Sequence, residues 1–420
     1  MKIFWINHHA KLPEESGGDR HYQLGWRLAH FGFDVSVVRG LNTHSGSLTD
    51  EKIINEIKKG GYSLQNRKGC NFLTVDCLPC SKNSNFSRIR NMASFAENVR
   101  RILTSGVLGK PDIVIGSVVH TFAAKAGLDV ARHFNVPFVY EVRDLWPLTP
   151  IELGGYSRLH PFLVYLDHLD RKLARSADLV ITTAPLMKEY YKERFGLPDE
   201  KFLWITNGTD LELFKNLPQA DEEAGKDSFD ICYAGAHGLA NGLDQVFDKL
   251  PAVTRKRPEV RLTLVGDGPL KPRLRERAQK EGLPVCFLEA VPKNELPAIL
   301  NKADALLAYL EPCRLYRYGI SLNKLADYHA MGKPILFIGD CAENPVIQSG
   351  AGLVAKHIEE FPSVLNKMIQ MTPEERREMG YRGRTYAEEH YDWEKLASKT
   401  GAALAKIAKS GTNLQEDSPI

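Results

Sequence analysis

Residues 317–334 read RYGISLNKLADYHAMGKP, and this stretch decides the fold. An apolar run, Ala305 to Leu310, precedes it and a second, Ile335 to Ile338, follows. Both have the length and composition of buried strands. Between them the sequence predicts one short helix, with Ser321 as its N-cap and Gly332 followed by Pro334 as its stop. In a parallel strand–helix–strand unit the N-terminus of that helix lies at the carboxyl edge of the sheet, where ligands bind. Free N–H groups and the helix dipole favour a phosphate there, and Lys324 in the first turn adds a full positive charge. Asn323 and Asp327 are four apart and share one helix face. A carboxylate one turn below a phosphate is placed to accept hydrogen bonds from a ribose diol. The competing reading is a packed helix with solvated charges, because a single short motif carries little weight.

The same alternation runs outward in both directions. Ile3–Asn7 reads as a strand, His21–Phe31 as a helix and Phe33–Val38 as a strand, with Gly17 and Gly18 in the loop between the first two. This is a Rossmann-type opening, and its glycines let backbone approach a ligand closely. No GxGxxG follows, so a dinucleotide site is not indicated. Residues 40–70 read as a polar surface loop with a short helix near Glu51–Lys59. Phe86–Leu103 is an amphipathic helix with Arg88, Arg90, Arg100 and Arg101 against Glu97. Its basic side suits either solvent or anionic lipid, and a solvated face is the simpler explanation. Strands follow at Ile113–Ser117, Phe138–Val142, Leu179–Thr182 and Phe202–Thr206. The acid-rich segment Asp210–Asp230 reads as a linker. A second series begins at Ile231 and passes through the glycine loops AGAHGLANGLD and GDGP. The expected architecture is α/β, with two Rossmann-like parallel-sheet domains at 1–209 and 210–390. A C-terminal helix at 391–408 is expected to return to the first domain, and 409–420 reads as a disordered tail.

Composition narrows the classes. The 420 residues are 43% hydrophobic and 25% charged, with a net charge of +3, too small to imply nucleic acid. No apolar run approaches the roughly 20 residues that span a bilayer. The N-terminal apolar run is too short for a signal peptide. Seven cysteines have no framework spacing, and the lone CxxC at Cys77 and Cys80 lacks a second pair for zinc. A cytoplasmic protein with reduced thiols is the expectation.

Five landmarks then stand in order: SGGDRHYQLGWRLAHFGFDVSVV, VPFVYEVRDLWP, YAGAHGLANGLD, LVGDGP and YGISLNKLADYHAMGKPILF. Over nearly its whole length the chain resembles the GT-B-fold glycosyltransferases of family 4, in particular the WbuB-like branch that builds bacterial surface polysaccharide. The resemblance implies transfer of a sugar, with retention, from a nucleotide-diphosphate donor (a UDP-sugar favoured) to a sugar or lipid-linked acceptor. It implies no metal and no cofactor. The C-terminal domain would hold the donor and the N-terminal domain the acceptor. The basic side of helix 86–103 is the candidate for peripheral contact with the inner membrane face.

Carried over by position, the family's paired donor carboxylates fall on Gly319 and Asp327, so the first is missing. The family's Arg/Lys pair falls near Ala236 and Asn241, and both charges are absent. Lys324, with Arg317 second, is the expected substitute, since a departing diphosphate without a metal must be stabilised by cations and backbone N–H groups. Ser321, Asn323, Gly17, Gly18, Gly235, Gly266, Asp267 and Gly268 complete the donor set that the resemblance implies. The family's acidic loop falls on Arg143-Asp144, and Asp144 is the candidate beneath the reacting carbon or on the acceptor hydroxyl. His120 is a further candidate at the same edge. Two other readings remain at this point. A nucleotide-sugar epimerase of the same fold would call for more clustered acids and histidines. A binding protein without chemistry would ordinarily carry an export signal.

Overall fold

The computed structural model describes residues 1–15, 18–43, 46–80, 85–215, 217, 227–238 and 241–416, with side chains described through 409. The chain divides into two compact units, Met1–Thr206 with Trp393–Ile420, and Asn207–Asp392. Of the segment 210–230 expected as a linker, residues 216 and 218–226 lie outside the described residues, while Leu211–Phe214 form a 3-10 turn and Phe229 and Asp230 already belong to a strand.

The first unit contains β1 (Lys2–Ile6), β2 (Asp34–Gly40), a two-stranded ribbon of β3 (Asn42–Thr43) and β4 (Gly46–Ser47), β5 (Tyr62–Arg67), β6 (Cys70–Val75), β7 (Ile113–Val118), β8 (Phe138–Val142), β9 (Leu179–Thr182) and β10 (Phe202–Trp204). The main sheet runs β10-β9-β8-β7-β1-β2-β6-β5. Neighbours in it are parallel except β5 and β6. Central strands such as Ile113–Val118 are buried at every position, as parallel strands covered on both faces must be. The antiparallel β5 corrects the expected surface loop. Its partner is reached through a tight turn in which Lys68 and Gly69 both have positive φ, so a hairpin forms although the flanking residues alternate weakly. A short helix, Leu148–Gly154, also forms where a loop was expected after Arg143.

The second unit holds β11 (Phe229–Ala234), β12 (Val260–Val265), β13 (Val285–Leu288), β14 (Ala305–Tyr309), β15 (Ile335–Ile338) and β16 (Gly352–Ala355), all parallel, in the order β13-β12-β11-β14-β15-β16. Alternate side chains of β11 enter opposite layers. Phe229, Ile231 and Tyr233 pack with Leu243, Phe247 and Leu250, while Cys232 and Ala234 pack with Leu325, Ala326 and Tyr328. The Tyr328 hydroxyl accepts a hydrogen bond from the Ala234 N–H at 2.8 Å, which bolts the helix Asn323–Met331 to the end of β11.

The last helix runs Trp393–Glu416, so residues 409–416 are helical where a disordered tail was expected; 417–420 lie outside the described residues. Gly411 alone costs a helix only about 1 kcal/mol, and no proline intervenes before Pro419. Trp393, Leu396, Ala397 and Leu404 join the core of the first unit. Gly401 lies where a β-carbon would come within 3.1 Å of Leu28 and Phe33 side chains, so its bareness lets the helix pack closely.

Candidate active site

In the second unit, strand order reverses between β11 and β14, the kind of switch point where open α/β sheets bind ligands outside their carboxyl ends. The loop leaving β11 begins with Gly235, and that leaving β12 with Gly266, Asp267 and Gly268. Gly235, Gly266 and Gly268 all have φ in the left-handed half, at 147°, 136° and 158°. A β-carbon at Gly266 would lie 2.0 Å from the Gly235 carbonyl oxygen. Gly266→Ala is therefore expected to separate the two loops and abolish nucleotide binding, read by titration with UDP, GDP and dTDP, with thermal unfolding of the second unit lowered as well.

Lys324 is where the chemistry concentrates. It sits in the first turn of Asn323–Met331, whose N-cap, Leu322, offers no side-chain cap. Its Nζ is closed from solvent, has no hydrogen-bond partner, and lies 3.8 Å from the centroid of the Tyr233 ring. A β-carbon at Gly235 would crowd that ammonium at 3.0 Å, and the glycine's φ of 147° disfavours any side chain there. Burial pushes its pKa down to about 7. The ring face attracts the charged form but is a weak replacement for water. A cation held this way, beside uncapped helix N–H groups, is a ready receptor for an anion.

The other expected donor residues are distributed around it. Asn323 is exposed and Asp327 is buried. The Asp327 Oδ1 accepts from the Thr209 hydroxyl at 2.6 Å and lies 3.5 Å from Lys293 Nζ. Ser321 does not cap the helix. Its hydroxyl accepts from the Asn207 N–H at 3.1 Å and its carbonyl from Asn207 Nδ2 at 2.9 Å, one residue too early for the first turn. Arg317 is exposed on a 3-10 turn, stacked on Tyr318 and hydrogen-bonded to its hydroxyl. Gly319 has φ 82°, so a side chain at the position of the missing carboxylate would be strained in this backbone. Asp267 is exposed, and its carboxylate accepts from the Gly268 N–H at 2.7 Å.

One residue escaped the sequence reading. His237, in the loop after β11, has no solvent exposure, and neither ring nitrogen has a hydrogen-bond partner. Its ring centroid is 6.1 Å from that of Tyr233. A histidine between Ala236 and Gly238 looks like an ordinary loop residue, and nothing in its spacing marks it.

In the first unit the switch point lies between β1 and β7. Gly17 lies outside the described residues, and Gly18 is exposed. Just beyond, Arg20 is buried against Glu141, with Nε 2.9 Å from Oε1. His21 Nε2 and Trp5 Nε1 reach Oε2 of the same carboxylate at 3.1 and 3.0 Å, and the Ser117 hydroxyl donates to it as well. Burial alone would raise the Glu141 pKa, but Arg20 and His21 hold it well below the usual carboxylate range. Arg20 also donates to the carbonyls of Thr206 at 2.6 Å and Ile205 at 3.0 Å.

Asp144 is exposed, while Arg143 is half-buried with its Nε lacking a hydrogen-bond partner. Desolvation by the surrounding protein raises the Asp144 carboxyl pKa, and Arg143 opposes that rise. His120 is buried rather than open. Its Nδ1 accepts from the Ala123 N–H at 3.2 Å, capping the helix Thr121–Phe134. Its Nε2 faces His8 Nδ1 at 2.8 Å, and His8 Nε2 faces the Asn42 carbonyl at 2.9 Å. With His9, these rings form the one group among the described residues that brings three metal-ligating side chains together. The partners assign a directed relay, Ala123 N–H to His120, His120 Nε2–H to His8, and His8 Nε2–H to Asn42, which commits the nitrogens of His8 and His120 to hydrogen bonds.

Two Rossmann-like units, each with glycine loops or polar groups at a switch point, define the GT-B class of sugar transferases. A family model described as Glycosyltransferase Family 4 matches residues 19–213, and one for Glycosyl transferases group 1 matches residues 228–371. The chain therefore carries a family 4 glycosyltransferase domain followed by a group 1 glycosyltransferase domain. Among similar proteins is the GDP-mannose-dependent alpha-(1-6)-phosphatidylinositol monomannoside mannosyltransferase of Mycolicibacterium smegmatis, 24% identical over 251 residues, 56% of this chain and 63% of that one. The chain thus spans a little under two thirds of that relative's length. Among solved structures, sucrose-phosphate synthase from Thermosynechococcus elongatus matches with a TM-score of 0.73 at 17% identity, covering 97% of this chain and 99% of that one. HepE of Anabaena, solved with UDP-glucose, matches with a TM-score of 0.65 at 17% identity, covering 97% and 100%. At these identities the two structures speak to the fold alone.

Proposed function

We propose that the protein transfers a sugar, with retention and without a metal, from a nucleoside-diphosphate donor to a sugar or lipid-linked acceptor, as a step in building a bacterial surface polysaccharide. The observation that carries this is the solvent-closed, unpartnered Lys324 ammonium beside the uncapped helix N-terminus and the three left-handed glycines. Such a site neutralises a diphosphate in place of a cation. A UDP-sugar is the favoured donor, in keeping with the HepE structure, while the mannosyltransferase relative keeps GDP-mannose in the panel. Asp327 takes the ribose and Gly266–Gly268 the base side. Asp144, together with Arg143, orients the acceptor hydroxyl on the first unit.

No helix among the described residues is long and apolar enough to cross a membrane. A lipid-linked acceptor would be met at the cytoplasmic membrane face by the exposed Phe86 with Arg88 and Arg90.

The test incubates the protein with UDP-, GDP- and dTDP-sugars and a set of saccharide and polyprenyl-phosphate-linked acceptors, with and without EDTA. Nucleotide release that requires an acceptor and survives EDTA is the expected result, with the anomeric configuration of the product read by NMR. Acceptor-independent isomerisation of the sugar, or a strict need for a divalent ion, would overturn the proposal.

A further inference from the structure

The loop leaving β11 is where the family resemblance leads one to expect an arginine and a lysine, and Ala236 and Asn241 stand there instead. The same loop carries His237, fully buried, with Nδ1 and Nε2 both lacking partners. Leaving a buried polar group unsatisfied costs on the order of 1–3 kcal/mol, so such a group persists where a ligand or water completes it. The backbone that carries the imidazole is held in place. The His237 N–H donates to the Asp267 carbonyl at 2.8 Å, and its carbonyl accepts from the Leu270 N–H at 3.0 Å. Gly268 is bare where a β-carbon would strike that carbonyl at 2.5 Å. The Tyr233 ring has His237 6.1 Å from its centroid and the Lys324 ammonium 3.8 Å from it. Two unpartnered nitrogen groups therefore flank one ring at the switch point, beside an uncapped helix.

We propose that His237 is a ligand of the donor's diphosphate, sharing with Lys324 the work of the absent Arg/Lys pair, so that donor binding draws protons into the site. This rests on the nucleotide-sugar reading above. In the unliganded protein burial lowers the imidazole pKa; Lys271 on the helix Lys271–Glu281 and Lys324 push the same way, while Asp267 and Glu289 oppose them. The ring is thus neutral at neutral pH and offers one N–H to a phosphate oxygen. Arrival of the anion favours the doubly protonated ring and the charged Lys324, and each proton taken up makes binding weaker as pH rises.

The experiment is calorimetric titration of the full chain with UDP, GDP and dTDP in buffers of different ionisation enthalpy, across neutral pH. The wild type is expected to take up protons on binding. His237→Gln, which donates a hydrogen bond but does not ionise, is expected to bind about tenfold more weakly at the acidic end. That deficit should shrink as pH rises, and proton uptake should be smaller. In Lys324→Met, whatever nucleotide binding remains should still take up protons through His237; zero uptake there would assign the whole effect to Lys324 and overturn the proposal. Unchanged affinity and uptake in His237→Gln would also overturn it, while leaving the transferase reading intact. A merely structural His237 would show as a lowered melting temperature with binding unaltered. Failure of the wild type to bind any of the three nucleotides would overturn the donor assignment on which this proposal rests, and the proposal with it.

Discussion

Lys324→Ala is expected to lower turnover by about 10²-fold, with a smaller loss in donor affinity. The asymmetry follows from where charge develops: a departing diphosphate gains negative charge as the glycosidic bond breaks, and an electrostatic group in a dry site acts most on that change. A 10²-fold loss corresponds to about 2.7 kcal/mol of transition-state stabilisation. Lys324→Met separates charge from packing, because it fills the space beside Tyr233 without an ammonium. Both variants should lose turnover alike. They should also unfold at higher temperature at neutral pH when unliganded. Burial sets the folded pKa of Lys324 at about 7, below that of an unfolded lysine. Its charged form therefore destabilises the native state below that pH, and the penalty is relieved as pH rises from about 7 toward the unfolded value near 10.4. Removing the ammonium removes the penalty, a stability gained at the expense of function. Equal loss in turnover and affinity would reduce Lys324 to ground-state binding.

The second large effect is on stability. Arg20→Met should destabilise the first unit by roughly 3–5 kcal/mol, the usual cost of leaving one member of a buried ion pair alone. For a body of this size that is on the order of 10 °C in melting temperature. Glu141 supplies a pH signature. In the wild type its folded pKa lies well below the unfolded value, so its contribution is present above the unfolded pKa and is lost only as pH falls through the folded one. Without Arg20, burial dominates and the folded pKa rises above the unfolded value. The variant should then become relatively more stable as pH falls from neutral toward the carboxylate range, opposite to the wild type. A melting temperature within a degree or two of wild type would show that the buried network carries little of the unit's stability.

Much of the fold could be read from apolar runs. Strands at Phe138–Val142, Leu179–Thr182 and Ile335–Ile338 fall where the runs place them, because continuous burial on both faces writes an unbroken apolar segment; the edge strands Val285–Leu288 and Gly352–Ala355 also fall in place, though they are only partly buried. The hairpin strand Tyr62–Arg67 was illegible for the converse reason: an edge strand with Gln65, Asn66 and Arg67 resembles a loop. Ser321 was plausible as a cap by residue type, but caps depend on one residue of register, and Asn207 claims its hydroxyl. Lys324 was visible through its position in the first turn of a helix between two buried strands. His237 was not, because the distinguishing fact is a pair of empty ring nitrogens, and that exists only once β11, β12 and the helix Asn323–Met331 are assembled. Asp144 and His120 were found together as strand-end residues, yet one faces water and the other is locked into a relay with His8.

The chain leaves the first unit at Thr206 and re-enters it at Trp393. During synthesis, residues 207–392 are therefore complete before their host is, and they can fold as an uninterrupted body. The host must wait, with Leu28 and its neighbours uncovered, until Trp393, Leu396 and Leu404 have left the ribosome. Any truncation or frameshift near residue 393 would consequently release a sound insert on an unfinished scaffold, a species prone to capture by chaperones or proteases.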